Sequence, residues 1–209
     1  MFSAKLWVLG GMSLSIATAQ SLTIVNSDFS AVAVRCGDGW AYQSALGGNC
    51  EGSNGLGAQQ NFNVEAGIGW TFNPRSEKLP GGDGITAPNT DFEPPPFTGL
   101  PFSAAALLQD QSVIFQKIDG FVPGIYKLTF YLGSRYSNSG SCCNGNQTVL
   151  ATLDGNAIGL WKLVSFTPFT LRTAVFKVAT AGSHILAFTG TAPEDNTAFF
   201  SGVNIEPVK

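Results

Sequence analysis

Apolar and polar positions alternate along the second half of the chain. In Tyr126-Lys127-Leu128-Thr129-Phe130-Tyr131-Leu132 the even positions are apolar or aromatic, and Lys127, Thr129 and Tyr131 fall between them. A period of two sets one face of a strand in a core and the other outside it. Strand-like runs also span 104–109, 112–118, 147–153, 157–164, 172–179, 183–189 and 198–205. Asp110-Gln111, Asp119-Gly120, Asp154-Gly155 and Ala181-Gly182 read as the turns between such runs. Upstream, Ser21–Val25 reads as a short strand and Trp70-Thr71-Phe72 as another, with a loop region at 35–61. From Asn73 to Pro101 the chain carries Pro74, Pro80, Pro88, Pro94, Pro95, Pro96 and Pro101. That density excludes a regular helix or an interior strand, and long irregular segments of this kind are often functional. No segment shows a helical period. The pattern predicts an all-β chain: one jelly-roll β-sandwich of eight to ten antiparallel strands, two sheets packing their apolar faces together.

The N-terminus departs from this pattern. Met1 to Lys5 carries one positive charge, Leu6–Ile16 is an apolar run, and Ala17-Thr18-Ala19 is a small-x-small sequence. These three parts in this order predict a signal peptide over residues 1–19, cleaved between Ala19 and Gln20. As a helix the apolar run would be only ~16 Å long, about half of a bilayer core. No later run reaches a transmembrane length, so the expectation is export to the extracellular space or periplasm, with no transmembrane segment. The remaining residues, 20–209, read as one domain.

Composition sharpens the picture. Acidic residues (14) outnumber Lys and Arg (11), a net charge of −3 that argues against nucleic acid, whose phosphates require a basic surface. Only 12% of residues are charged, against 44% hydrophobic, and 25 are glycine, which fits strands joined by tight turns and not disorder. The four cysteines, Cys36, Cys50, Cys142 and Cys143, are even in number in an exported chain, which predicts disulfides. All three pairings stay open: Cys36 with Cys50 would leave a bond between neighbours, and the other two would tie the two loops together twice. Adjacent cysteines without a nearby histidine do not suit a tetrahedral metal.

Catalytic signatures are thin. The single histidine, His184, would share a strand face with Leu186 and Phe188, which reads as packing, and no serine elbow accompanies it. Asp83, Asp91, Glu93, Asp119, Asp154, Glu194 and Asp195 could supply paired carboxylates, but none has a recognisable partner. Binding chemistry is richer. Flat rings pack on the C–H faces of sugars, and planar polar groups match their hydroxyls. Trp40, Tyr42, Trp70, Tyr126, Tyr131, Tyr136 and Trp161 are available, and Arg135-Tyr136 ends a strand just before a polar loop with Asn144, Asn146 and Gln147. Trp70, Arg135, Tyr136, Asn146 and Trp161 are the candidate ligand contacts. Trp70 and Trp161 read equally well as core residues, and Arg135 as an ion-pair partner. Asn146-Gln147-Thr148 is also an N-glycosylation acceptor if the cell is eukaryotic.

Several of these segments together carry a resemblance. Asn26-Ser27-Asp28-Phe29, Gly69-Trp70, Ala105-Ala106-Leu107, Phe115-Gln116-Lys117-Ile118, Pro123–Phe130, Val149–Gly155, Ala181–Phe188 and Asp195–Ile205 resemble the strand motifs of the galactose-binding-like jelly roll. That fold is found in carbohydrate-binding modules and related exported cell-wall proteins. The resemblance is tightest after residue 103. It implies a polysaccharide or glycan partner and a structural calcium near the first and last strands, for which Asp28 is the candidate ligand. The family's closing acidic residue is replaced here by Ser201-Gly202.

The sequence therefore predicts a secreted, non-catalytic carbohydrate-binding or cell-surface/matrix module. A self-associating structural protein and a glycan-cleaving enzyme are the alternatives, and the sequence leaves oligomeric state open.

Overall fold

β6 (Gly124–Ser134) shows why the chain folds as it does: Tyr126, Leu128, Phe130 and Leu132 are all buried, while the residues between them are half-buried or exposed. The computed structural model describes residues 22–30, 40–42, 69–73, 82–90, 92–137, 144–193 and 195–208. The predicted signal peptide and all four cysteines lie outside the described residues.

Eleven strands are described, and every pairing between them is antiparallel. Besides β6 they are β1 (Trp40–Tyr42), β2 (Thr71–Asn73), β3 (Asp83–Thr86), β4 (Ala105–Gln109), β5 (Val113–Phe121), β7 (Thr148–Leu153), β8 (Asn156–Lys162), β9 (Thr170–Val178), β10 (Gly182–Gly190) and β11 (Thr197–Pro207). One sheet has the order β1-β3-β4-β11-β6-β9 and the other β2-β5-β10-β7-β8. The chain is thus the all-β jelly-roll sandwich that the alternation predicted, with one strand more than the upper expectation. Between the sheets lies a core that includes Phe29, Trp70, Tyr126, Phe130, Phe188 and Phe200. The rings of Phe188 and Phe200 sit 4.4 Å apart at its centre.

Four expectations need correction. Ser21–Val25 is not a strand over its described residues; the Val25 amide and carbonyl instead meet the side-chain amide of Gln116, both at 2.9 Å. A side chain here replaces the ladder partner a strand would need. Trp40–Tyr42, read as loop, is β1, paired with β3. Asp119-Gly120 is no turn but an irregularity inside β5, where the register with β10 shifts. The proline-rich stretch contains β3, inserted between Pro80 and Pro88, where no proline interrupts the ladder.

The residues from Phe92 to Phe102 form a strap. Phe92, Phe97 and Phe102 are buried against Ala105, Leu107, Phe169 and Phe199 on the outer face of the six-stranded sheet. Phe97 and Phe102 each lie 5.2 Å from Phe169. A second, smaller core therefore sits outside the sandwich, built from the residues that look least regular in the sequence.

Candidate functional site

One end of the sandwich gathers the loops after β6, β8 and β10. Ser134, fully buried, joins two of them: its hydroxyl donates to Val164 O (2.6 Å) and accepts from Thr167 N (2.9 Å). Phe166 N donates to Arg135 O at 3.0 Å, and Gly145 N to the Ser165 hydroxyl at 2.7 Å. Gln147 holds the floor. Its side-chain oxygen accepts from Thr148 N, Thr191 N and Ala192 N at 2.8–3.0 Å, and its nitrogen donates to Asp110 O and Asn196 O. Gln147 is therefore buried framework and not a rim contact.

Three of the five candidate contacts meet at this rim. Tyr136 is half-buried, and its ring lies 5.8 Å from that of Phe166. Phe166 is 53% exposed and has φ 68°. A bulky side chain seldom adopts the left-handed region, and strain of this kind is held where surrounding bonds enforce it. Asn146 is exposed; its side-chain oxygen accepts from Ser165 N at 3.2 Å, and its amide nitrogen donates to no acceptor among the described residues. Arg135 is turned inward. Its guanidinium reaches Asp195 (3.4 Å) and Glu93 (3.8 Å) and lies 4.7 Å over the Phe92 ring. Asp195 also accepts from the Gln109 side-chain amide. The ion-pair reading of Arg135 is the one its geometry matches, and it ties the strap to the rim, as does Tyr136 N donating to Glu93 O at 2.8 Å.

The two tryptophans lie elsewhere. Trp70 is 4% exposed, packed 5.3 Å from Phe29, with its indole N–H donating to Asn26 O at 3.1 Å. It is a core residue, and a ligand has no access to it. Trp161 is half-buried at the open side of the sandwich, edge-on to Phe130 at 4.9 Å. Phe166 was missed by the sequence reading; an aromatic residue between Ser165 and Thr167-Pro168 was its only signal.

Among the described residues the candidate carboxylates are held by other partners or buried apart from one another. Glu93 and Asp195 flank Arg135, Asp119 lies near Lys117 and accepts from Ser183, and Asp83 is fully buried. Asp91 and Glu194 lie outside the described residues. Asp154 does what its turn reading did not foresee. At φ 49° beside Gly155 at φ 78° it turns the β7–β8 hairpin, and its carboxylate accepts from Ile185 N (2.8 Å) and meets His184 Nδ1 (2.5 Å). His184 packs as expected, 8% exposed and edge-on to Phe121 at 5.0 Å. Its Nε2 faces Thr180 O at 3.0 Å. Both ring nitrogens thus meet acceptors, a demand only the protonated imidazole meets fully. The Asp154 bond raises the His184 pKa above its ordinary value, against an opposing effect of burial. The Ile185 amide, more than His184, lowers the Asp154 pKa. With Nε2 committed to a carbonyl, this histidine has no free nitrogen to act as a base.

Asp28 accepts from Ser30 N (3.1 Å) and Ser30 Oγ (2.7 Å), and Ser201 donates to Ala104 O. Among the described residues no group of three acidic, histidine or cysteine side chains could hold a metal.

No protein-family model matches the chain, and no curated protein does. Solved structures do. A Stig cyclase, Fisc, from Fischerella sp. TAU, in complex with (3Z)-3-(1-methyl-2-pyrrolidinylidene)-3H-indole, matches with a TM-score of 0.57. It is 15% identical, over 92% of this chain and 100% of that one. A second Fischerella sp. TAU cyclase, in complex with 4-(1H-indol-3-yl)butan-2-one, matches with a TM-score of 0.50 at 14% identity, over 68% of this chain and 86% of that one. A family 35 carbohydrate binding module from Clostridium thermocellum matches at 0.39, with 14% identity, over 53% of this chain and 83% of that one. At these identities the cyclase likenesses establish the sandwich fold alone, and the module's score is too low to argue from. Among the described residues, no helix is long and apolar enough to cross a membrane.

Proposed function

We propose that the protein is an exported, non-catalytic glycan-binding module whose ligand lies on the rim formed by Tyr136, Phe166 and Asn146. The observation that carries this reading is the Tyr136–Phe166 pair. Two rings 5.8 Å apart stand at the surface, one held at a costly backbone angle, beside a side-chain amide with hydrogen-bonding capacity to spare. Rings that only served packing would be sequestered, as Trp70 is. The rim is fixed by Ser134 and Gln147, so little ordering would accompany binding. Export is proposed on the N-terminal sequence, with disulfides among Cys36, Cys50, Cys142 and Cys143 following from the oxidising compartment. The non-catalytic part rests on carboxylates held by Arg135 or His184 and on the committed His184.

The test is a polysaccharide panel with the purified protein, followed by Tyr136→Ala and Asn146→Ala. Each substitution should weaken binding by roughly tenfold, equivalent to about 1.4 kcal/mol, with an unchanged melting temperature. A protein that retains no polysaccharide of any class is not a glycan-binding module. Mass determination of the exported chain should find Gln20 as its first residue and, without reductant, two hydrogens fewer for each bridge.

A further inference from the structure

The open side of the sandwich, where the edge strands β8 and β9 approach one another, is chemically unlike the rest of the surface. Arg172 on β9 pairs directly with Phe130, and paired residues on neighbouring strands share a face, so its side chain enters the space between the sheets. Its Nε is buried without a hydrogen-bond partner, and no carboxylate forms an ion pair with it among the described residues. A half-buried cation with no counter-charge is unfavourable and calls for a compensating anion. Trp161 on β8 reaches the same Phe130 from the opposite sheet. Gly159 makes this possible: a Cβ there would lie 2.2 Å from the indole, so the ring is laid along its own strand. Farther along the same side is a depression of about 250 Å³, lined in part by Asp154, Ile158, Lys177, Thr180 and His184. Asp154 is engaged by His184 and the Ile185 amide. Among the described residues neither Arg172 nor Lys177 has a carboxylate in an ion pair, on a chain whose net charge is −3.

We infer that this side of the sandwich binds an acidic sugar, with the sugar ring on Trp161 and its carboxylate on the guanidinium of Arg172. Arginine presents parallel N–H donors that match both oxygens of a carboxylate, and burial strengthens the pair. The adjoining depression gives a neighbouring sugar unit room beside Lys177. The inference rests on the glycan-binding reading of the protein, but on a site separate from Tyr136 and Asn146.

The experiment is calorimetric titration of the purified protein with oligogalacturonate and with its methyl ester, which keeps the sugar and removes the charge. The acid form should bind at least tenfold tighter than the ester. Arg172→Gln should erase that difference, Arg172→Lys should restore only part of it, and Trp161→Ala should weaken the acid form. Arg172→Gln should melt at or above the temperature of the parent, since it removes a charge without a partner. Equal binding of acid and ester, or an Arg172→Gln variant that binds like the parent, overturns the inference while leaving the rim reading intact. Binding of neither form overturns it as well, and the rim reading is then decided by the neutral members of the polysaccharide panel.

Discussion

Gln147 shows what one side chain can do for a loop. Five backbone groups from four segments end on its amide, and the residue is fully buried. Gln147→Leu keeps the volume and removes every one of those bonds. Ala192 N, Asp110 O and Asn196 O would be left without this partner, at about 1–3 kcal/mol for each buried orphan. The expected loss is on the order of 3 kcal/mol or more, seen as a lower urea midpoint with an unchanged slope. In the sequence Gln147 is one more polar residue after Asn144 and Asn146, and nothing in its neighbours distinguishes framework from rim. Tyr136 and Asn146 could be read as rim residues because they follow a strand with a clear period. Arg172 could not. Its isolation depends on which carboxylates fail to reach it, and that is a property of the assembled sheets. Phe166 is hidden for a related reason: its exposure goes with a left-handed backbone angle, at a residue whose amide donates to the distant Arg135 O.

At the scale of elements, the long strands were legible and the short ones were not. β6, β7, β9, β10 and β11 each lie within a few residues of the alternating runs, because six or more positions repeat the pattern of burial. β3 has four residues, all buried, so no alternation exists to detect. Ile85 packs in the core between the sheets, and β1 and β4 flank the strand on either side. In the strap, prolines fix an extended backbone that needs no ladder, and the phenylalanines between them supply the apolar contact. Phe199 is fully buried on the outer face of β11 with Phe92 set edge-on to it at 6.2 Å. The strap is thus an element in energetic terms without being one in hydrogen-bond terms. Phe102→Ala removes a ring that touches Phe97, Phe169 and Tyr131. It should cost about 3 kcal/mol, and it should raise binding of a hydrophobic dye while the far-ultraviolet β spectrum persists. A strap that merely rests on the sheet would give neither change.

For the molecule as a whole, the two sheets are joined near one end by a bond that depends on pH. Asp154 turns the β7–β8 hairpin, His184 lies on β10 beside it, and Thr180 belongs to the link from β9 in the other sheet. His184 therefore connects a hairpin of one sheet to the chain leaving the other. Its pKa is raised in the fold from an ordinary 6.5, chiefly by Asp154, so its contribution is complete below 6.5 and is lost as pH rises through the raised value. The Asp154 pKa is lowered from an ordinary 3.8, so its contribution is complete above 3.8 and is lost as pH falls through the lowered value. Stability from this pair should form a plateau between those two limits. Since Asp154 is nearly half exposed, solvent screens the pair and the effect is modest. The chain has one histidine, so the decline above neutrality is assignable. Melting temperature should fall by a few degrees between pH 6 and pH 9 in the parent. His184→Gln should start lower at pH 6 and lose most of that slope. A variant with the parent's full slope would place the titrating group elsewhere and remove His184 as the protonated link between the sheets.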